Sequence, residues 1–174
     1  MARELQARIT HLEMRVPPAQ RVQAPTGFVL ALMRAEAVPL HFYRYLYEVI
    51  GRPHHWQMRR GLGDEALSAA IHAETTAIEV LYCDGAPAGF FELDMAGLPE
   101  AVEIKYFGLV PDFQGRGLAR FLLSAAIFAA WDRRPEKLTI ETNTLDSPRA
   151  LQLYQKLGFS PVSWSEQMIP AWEN

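Results

Sequence analysis

Two spacings of apolar residues alternate along this chain, and the switches between them mark its elements. In "PLHFYRYLYEVIG", Pro39 to Gly51, the residues Phe42, Tyr45, Leu46 and Val49 recur at helical spacing. Pro39 suits a first turn and Gly51 a stop, so a helix is predicted between them. "DEALSAAIH" reads as a second helix with Asp64 as its cap. "AIEVLYCDGAPAGFFELDM" places two strand-like runs around Asp84-Gly85, the strongest hairpin signal in the chain. "AVEIKYFGLV" predicts a further strand, and "GRGLARFLLSAAIFAAWDRR" a long helix ended by Pro135. "KLTIETN" is a strand. "SPRALQLYQKLG" is a helix with Ser147 as cap, Pro148 in its first turn and Gly158 past its end. "FSPVSWSEQMI" closes the pattern as strand.

The first third is less regular. "ARITHLEMR" is a weakly patterned strand, "VPPAQRVQAPTG" a proline-rich linker, and "FVLALMRAE" a strand. The element order predicts an α/β chain on a mixed sheet. Residues 1–174 are expected to form one domain, with 1–25 contributing the N-terminal strand and the linker.

Composition narrows the class. Of 174 residues, 49% are apolar, which suits a globular chain, and the single cysteine, Cys83, excludes a disulfide framework or a cysteine-rich metal site. The N-terminus mixes charges and shows no secretory pattern. The longest apolar run, Leu118 to Trp131, is broken by Arg120 and Ser124 and is too short for a bilayer. A soluble, cytoplasmic protein without a membrane partner is expected. A net charge of −3 offers no nucleic-acid footprint. Residues 1–60 nevertheless hold nine arginines against four acids, while the remainder holds eight basic residues against sixteen acids. The acids Asp84, Glu92, Asp94, Glu100 and Glu103 fit either a solvated face or a mouth that attracts a cation.

The chemistry centres on Gly108 to Trp131. A strand end, then glycines, then a helix start is a ready anion site, because first-turn N–H groups lack partners and the helix dipole favours negative charge. An ordinary strand–helix turn is the competing reading of the loop alone. A Walker loop is excluded because Leu118-Ala119 follow Gly117. A dinucleotide fingerprint fits Gly115 and Gly117 but meets Arg120 where close packing needs a small residue, although Glu141 lies at a suitable distance for a ribose contact. No G-x-S-x-G or H-E-x-x-H occurs. The adjacent His54-His55 have no partner at metal-ligand spacing, so no metal is expected.

Two motifs together carry a resemblance. "QGRGLA", Gln114 to Ala119, fits Q/R-x-x-G-x-G/A, and "ALQLYQKLGF", Ala150 to Phe159, fits A-x-x-L-Y-x-K-x-G-F. The chain resembles the GNAT superfamily of N-acetyltransferases, from Phe28 to Val162 in element order. The resemblance implies the acyl-CoA N-acyltransferase fold: a mixed, mostly antiparallel central sheet, flanked by helices and splayed between its central strands. It implies acetyl-CoA as co-substrate. The amides of Gln114, Gly115, Arg116, Gly117, Leu118 and Ala119 would cradle the diphosphate, and the backbone near Leu109 and Val110 would pair with the pantetheine arm. Arg116 is then either a charge-assisted contact or an exposed arginine. Gly108 is independently consistent with a close backbone approach in that strand.

An alkylammonium, with a pKa near 10.4, must lose a proton before it attacks a thioester, and the departing thiolate benefits from a donor. The resemblance points to Glu103 as base, in the register of the glutamate of the superfamily's histone acetyltransferases. Pairing with Lys105 on the same strand face is the alternative for that residue. Glu92 and Asp94 are reserves, Glu141 a weaker one, and a water chain a further route. Tyr154 matches the signature tyrosine and is implied as the acid; a core-facing aromatic is the alternative. Many members carry Asn where this chain has Ser147, so that pantetheine contact is in doubt, with Asn143 a substitute. The acceptor, a small-molecule or protein amine, would meet an aromatic wall from Phe42, Tyr43, Tyr45, Tyr47, His54, His55 and Trp56, unless these only pack the helix. A homodimer is among the assemblies allowed. An acyl-CoA-binding sensor without turnover is the second function considered.

Overall fold

The computed structural model describes residues 3–173. Seven strands form one sheet: β1 (Glu4–Met14), β2 (Leu30–Arg34), β3 (Thr76–Cys83), β4 (Ala86–Asp94), β5 (Ala101–Leu109), β6 (Lys137–Asn143) and β7 (Ser160–Pro170). Four α-helices accompany them: α1 (Leu40–Gly51), α2 (Asp64–Ile71), α3 (Leu118–Trp131) and α4 (Ala150–Lys156). The strand order is β2-β3-β4-β5-β6-β1-β7, antiparallel everywhere except between β5 and β6.

That one parallel pair shapes the molecule. It holds from Ala101↔Lys137 to Ile104↔Ile140 and then ends, although β5 continues to Leu109 and β6 to Asn143. The strands part there, which is the splay the resemblance implies. A register shift between Glu92 and Leu93 makes Lys105 the extra residue of a bulge in β5, just where pairing with β6 stops. Ile104 therefore joins the core on one face of the sheet and Tyr106 the core on the other.

Helix α3 buries Leu118, Leu122, Leu123, Ala126, Ile127 and Ala130 against the first face. Helix α1 covers the second with Tyr43, Leu46, Tyr47 and Ile50. This face lies one residue away from the predicted Phe42, Tyr45, Leu46 and Val49, and Tyr45 stays 47% exposed. Both sets satisfy a 3.6-residue period; the polar stripe of His41, Arg44 and Glu48 lies away from the sheet, and packing buries Tyr43, Leu46, Tyr47 and Ile50.

Two expected helix ends need correction. Asp64 is the first residue of α2, behind Gly63, and pairs with Arg44 at 2.8 Å instead of capping. Helix α4 starts at Ala150, so Ser147 and Pro148 form a preceding turn in which the Ser147 carbonyl accepts the Ala150 N–H (3.0 Å). Helix α1 ends at Gly51 as expected, with a φ of −85° there rather than a left-handed twist. A Cβ there would lie 2.6–2.8 Å from the Trp56 side chain, so the glycine is needed for that contact. Gly51→Ala should displace Trp56 and lower stability by about 2 kcal/mol, as overpacking does. Urea unfolding with an unchanged midpoint would refute this.

The N-terminal strand is the largest surprise of the topology. β1 pairs with β6 from Ile9↔Asn143 to Met14↔Leu138 and with β7 from Glu4↔Pro170 to Glu13↔Ser160. The following linker lies along α3, where the Val22 N–H donates to Ser124 Oγ (2.9 Å) and the Arg21 guanidinium covers the Phe128 ring at 4.2 Å. No helix among the described residues is long and apolar enough to cross a membrane.

Candidate functional site

A cavity of about 610 Å³ enters where β5 and β6 part. One end meets the start of α3, where Gln114, Gly115, Gly117 and Ala119 line it. Gly115 and Gly117 have φ of +76° and +79°, which residues with a Cβ rarely adopt. The space before them is open: a Cβ on Gly115 would meet nothing within 4 Å, and on Gly117 only Pro25 at 3.9 Å. Among the described residues, the backbone N–H groups of residues 115–119 have no internal acceptor. Five free donors at the positive end of a 14-residue helix suit a multiply charged anion. The diphosphate of acetyl-CoA fits this cradle.

The remaining coenzyme candidates divide. Leu109, Asn143 and Ser147 line the cavity. Val110 does not, and its backbone is already engaged: its N–H donates to the Ala88 carbonyl (2.8 Å) and its carbonyl accepts from Phe113 (2.9 Å). Leu118 turns into the core, and the Arg116 guanidinium lies 5.3 Å from the Phe113 ring and 5.9 Å from Phe28. At Gly108 the close approach comes from α1, since a Cβ would sit within bonding clash of Ile50 Cγ2. The loop after β6 is ordered by Asp146, whose Oδ2 accepts from Thr142 Oγ1 (2.8 Å) and the Asn143 N–H (2.9 Å). Asn143 Oδ1 accepts the Leu145 N–H (2.8 Å), leaving its amide NH₂ for the cavity.

Tyr154 also lines the cavity and is buried between Phe107 and Phe159, ring centroids 6.3 and 6.4 Å away. Its place is set by the helix end. Gly158 N–H bonds to the Gln155 carbonyl and Phe159 N–H to the Tyr154 carbonyl, a Schellman motif with its apolar contact. Burial, with Asp146 adding negative charge, pushes the hydroxyl above its ordinary range, so it stays protonated at neutral pH.

The carboxylates sort by what holds them. Glu92 is 1% exposed and is consumed by Tyr43, whose hydroxyl donates at 2.6 Å, and by Arg59. Asp94 accepts the Ala96 N–H (2.9 Å) and faces Lys105 Nζ at 3.8 Å. Lys105 thus turns to Asp94, the cross-strand partner of Glu103, and its charge still acts on Glu103. Glu103 is half-buried beside the cavity rather than in its lining, and burial, then repulsion from Glu141, raises its pKa. Glu141 lines the cavity and pairs with His11 Nδ1 at 2.9 Å.

The far wall is built by α1 and the turn behind it. Tyr47, Ile50, His54, His55, Trp56 and Met58 face the cavity. The rings of Tyr47, Trp56 and Tyr106 pack within 5.1–5.4 Å of each other. Tyr43 and Phe42 belong to the core instead. Trp172, which nothing in the sequence pattern singles out, anchors this wall: its Nε1–H donates to the Trp56 carbonyl (2.6 Å), and Arg60 covers its ring at 4.2 Å.

A family model described as an acetyltransferase (GNAT) domain matches residues 72–161, just over half of the chain. No curated protein matches. Among solved structures, the tandem GNAT protein from the clavulanic acid biosynthesis pathway aligns with 99% of this chain and 56% of its own, at 18% identity and TM-score 0.62. A GNAT-family acetyltransferase of Novosphingobium aromaticivorans aligns with 99% of this chain and 68% of its own, at 17% identity and TM-score 0.62. AAC(6')-Iy, in complex with the bisubstrate analogue CoA-S-monomethyl-acetylneamine, aligns with 76% of this chain and 91% of its own, at 20% identity and TM-score 0.54. The chain spans under two thirds of the length of several matched structures.

Proposed function

The chain belongs to the GNAT acetyltransferase family, and from that premise we propose that residues 1–174 work as one unit that moves the acetyl group of acetyl-CoA directly onto a primary amine. The observation that carries this reading is the row of five free N–H groups at the start of α3, opening into a cavity that passes through the parted strands to a second wall. Donor and acceptor can meet there without a covalent enzyme intermediate. The bisubstrate analogue bound by AAC(6')-Iy supports a single cleft for both partners.

Residues 115–119 hold the diphosphate by backbone donors, the Gln114 N–H being taken by the Pro111 carbonyl, and Leu109, Asn143 and Ser147 border the arm that leads to the thioester. Glu103 takes the ammonium proton through a water, since it stands beside the cavity. The freed amine attacks the thioester carbonyl, the C–S bond breaks, and Tyr154 supplies a proton to the departing sulfur. The second amine proton, lost from the tetrahedral adduct, restores the Tyr154 hydroxyl, and Glu103 releases the first to solvent.

Glu103→Gln tests the base. A raised pKa means that the basic form is lost at a higher pH than for an ordinary carboxylate, so wild-type kcat/KM should fall as pH drops through that raised value. In the variant this limb disappears. Turnover should be down about tenfold at neutral pH, below the usual range for a base in direct contact, and should recover at high pH where free amine is abundant. An equal loss at every pH would indicate a structural role. Release of free thiol with an amine panel separates transfer from a sensor that only binds acyl-CoA.

A further inference from the structure

The two adjacent histidines of the far wall are fixed in opposite tautomers. His54 Nδ1 lies 3.2 Å from the Leu145 carbonyl, across the cleft on the loop after β6. A carbonyl only accepts, so Nδ1 carries the proton and Nε2 of the neutral ring is a bare lone pair. His55 Nδ1 lies 3.0 Å from the Trp172 backbone N–H. A backbone N–H only donates, so this Nδ1 is the acceptor and Nε2 carries the proton. Both residues line the cavity, and among the described residues neither Nε2 has a hydrogen-bond partner.

Neighbouring side chains usually diverge. Here His55 has a φ of +57°, in the left-handed region that non-glycine residues seldom occupy. The turn lets both rings border one cavity, and the Trp172 bond holds it. Sparsely populated backbone conformations of this kind cluster at ligand sites. The wall therefore offers one acceptor and one donor, from adjacent residues, to a cavity that Glu141 also lines.

We propose that His54 and His55 bind a hydroxyl of the acceptor, so that the amine acetylated by this protein is a hydroxylated one. A hydroxyl is the smallest group that donates and accepts at once: it gives its proton to His54 Nε2 and receives that of His55 Nε2. A plain alkylamine leaves both nitrogens unpaired in a partly desolvated wall, and such a loss discriminates strongly. The assignment rests on the acetyl-transfer reading above.

The test uses amino alcohols and alkylamines matched in carbon number, with thiol release as readout. The full-length protein should favour the hydroxylated member of each pair by roughly tenfold in kcat/KM. His54→Phe and His55→Phe should each cancel that preference, with KM rising roughly tenfold more for the hydroxylated member of a pair than for the alkylamine. His54→Asn, which keeps a small polar group and spares the fold, should retain part of the preference. Equal rates for both amine classes in the wild type would overturn the assignment alone. So would an equal fall for both classes in the histidine variants, which would make His54 part of the chemistry. No thiol release with any amine, while acetyl-CoA still binds, would remove the transfer reading and this assignment together.

Discussion

Tyr154→Phe is expected to turn over about 100-fold more slowly than the wild type while binding acetyl-CoA within a few-fold as tightly. The substitution removes one oxygen. The ring keeps its contacts with Phe107 and Phe159, and the Schellman motif uses only the residue's backbone. Stability should therefore change little. The hydroxyl is held protonated by burial, so it offers a hydrogen at every working pH to a leaving thiolate whose conjugate acid has a pKa near 8.5. Such a contact strengthens only as the C–S bond breaks, so kcat and kcat/KM should fall together, within the usual range of about 10²–10⁴ for an acid catalyst. Calorimetric titration and thiol-release kinetics on one preparation decide the matter. Wild-type turnover would take Tyr154 out of the mechanism, and a collapse of donor binding would make it a coenzyme-positioning group.

Gly117→Asp should abolish the rise in melting temperature that acetyl-CoA gives the wild type, with affinity down by more than about 100-fold. Any ligand selective for the folded state raises that temperature, so its loss reports the loss of binding. Two effects act at this position. A φ of +79° strains any residue with a Cβ, and a carboxylate would stand among donors suited to phosphate oxygens. Like charges about 4 Å apart near a protein surface repel by about 4 kcal/mol before screening. Gly117→Asn separates the effects. It carries the same shape without the charge, and asparagine tolerates the left-handed region. The neutral variant should keep most of the shift. Loss of the shift in both variants alike would mean that backbone strain, not charge, disables the loop. Persistence of the shift in Gly117→Asp would move the phosphate site elsewhere.

Much of the donor side was legible because its determinants are local. The glycines, the start of α3 and the LYQKLGF helix each lie within a few residues of the groups they position. The splay followed from the resemblance, and the bulge at Lys105 that accompanies it has no sequence signal, being a mismatch between two strands. The acceptor side was harder. Helix α1 offers two overlapping apolar sets at helical spacing, and its docking on the sheet buries Tyr43, Leu46, Tyr47 and Ile50. Glu92 looked available as a base until Arg59 and Tyr43 were seen to hold it. Conversely, His54 and His55 carried no metal spacing, and their significance comes from Leu145 and Trp172, each about 90 or more residues away in the chain. Partners at such separations leave no mark on local pattern.

The place of β1 between β6 and β7 has a consequence for how the molecule assembles. The hairpin of β3 and β4, strand β5 and α3 are neighbours in sequence, so the coenzyme side closes mainly short loops of chain. The other wall cannot form so soon. Gln6 meets Glu166, 160 residues later, and the tail that anchors His55 follows that strand directly. Contacts of high sequence separation reward the chain only after the largest entropy of loop closure has been met. On a ribosome, β1 must wait, with both of its edges open, until β6 and β7 have been made. The site for the shared donor can thus mature while the chain is still growing, and the wall that selects the acceptor is completed last.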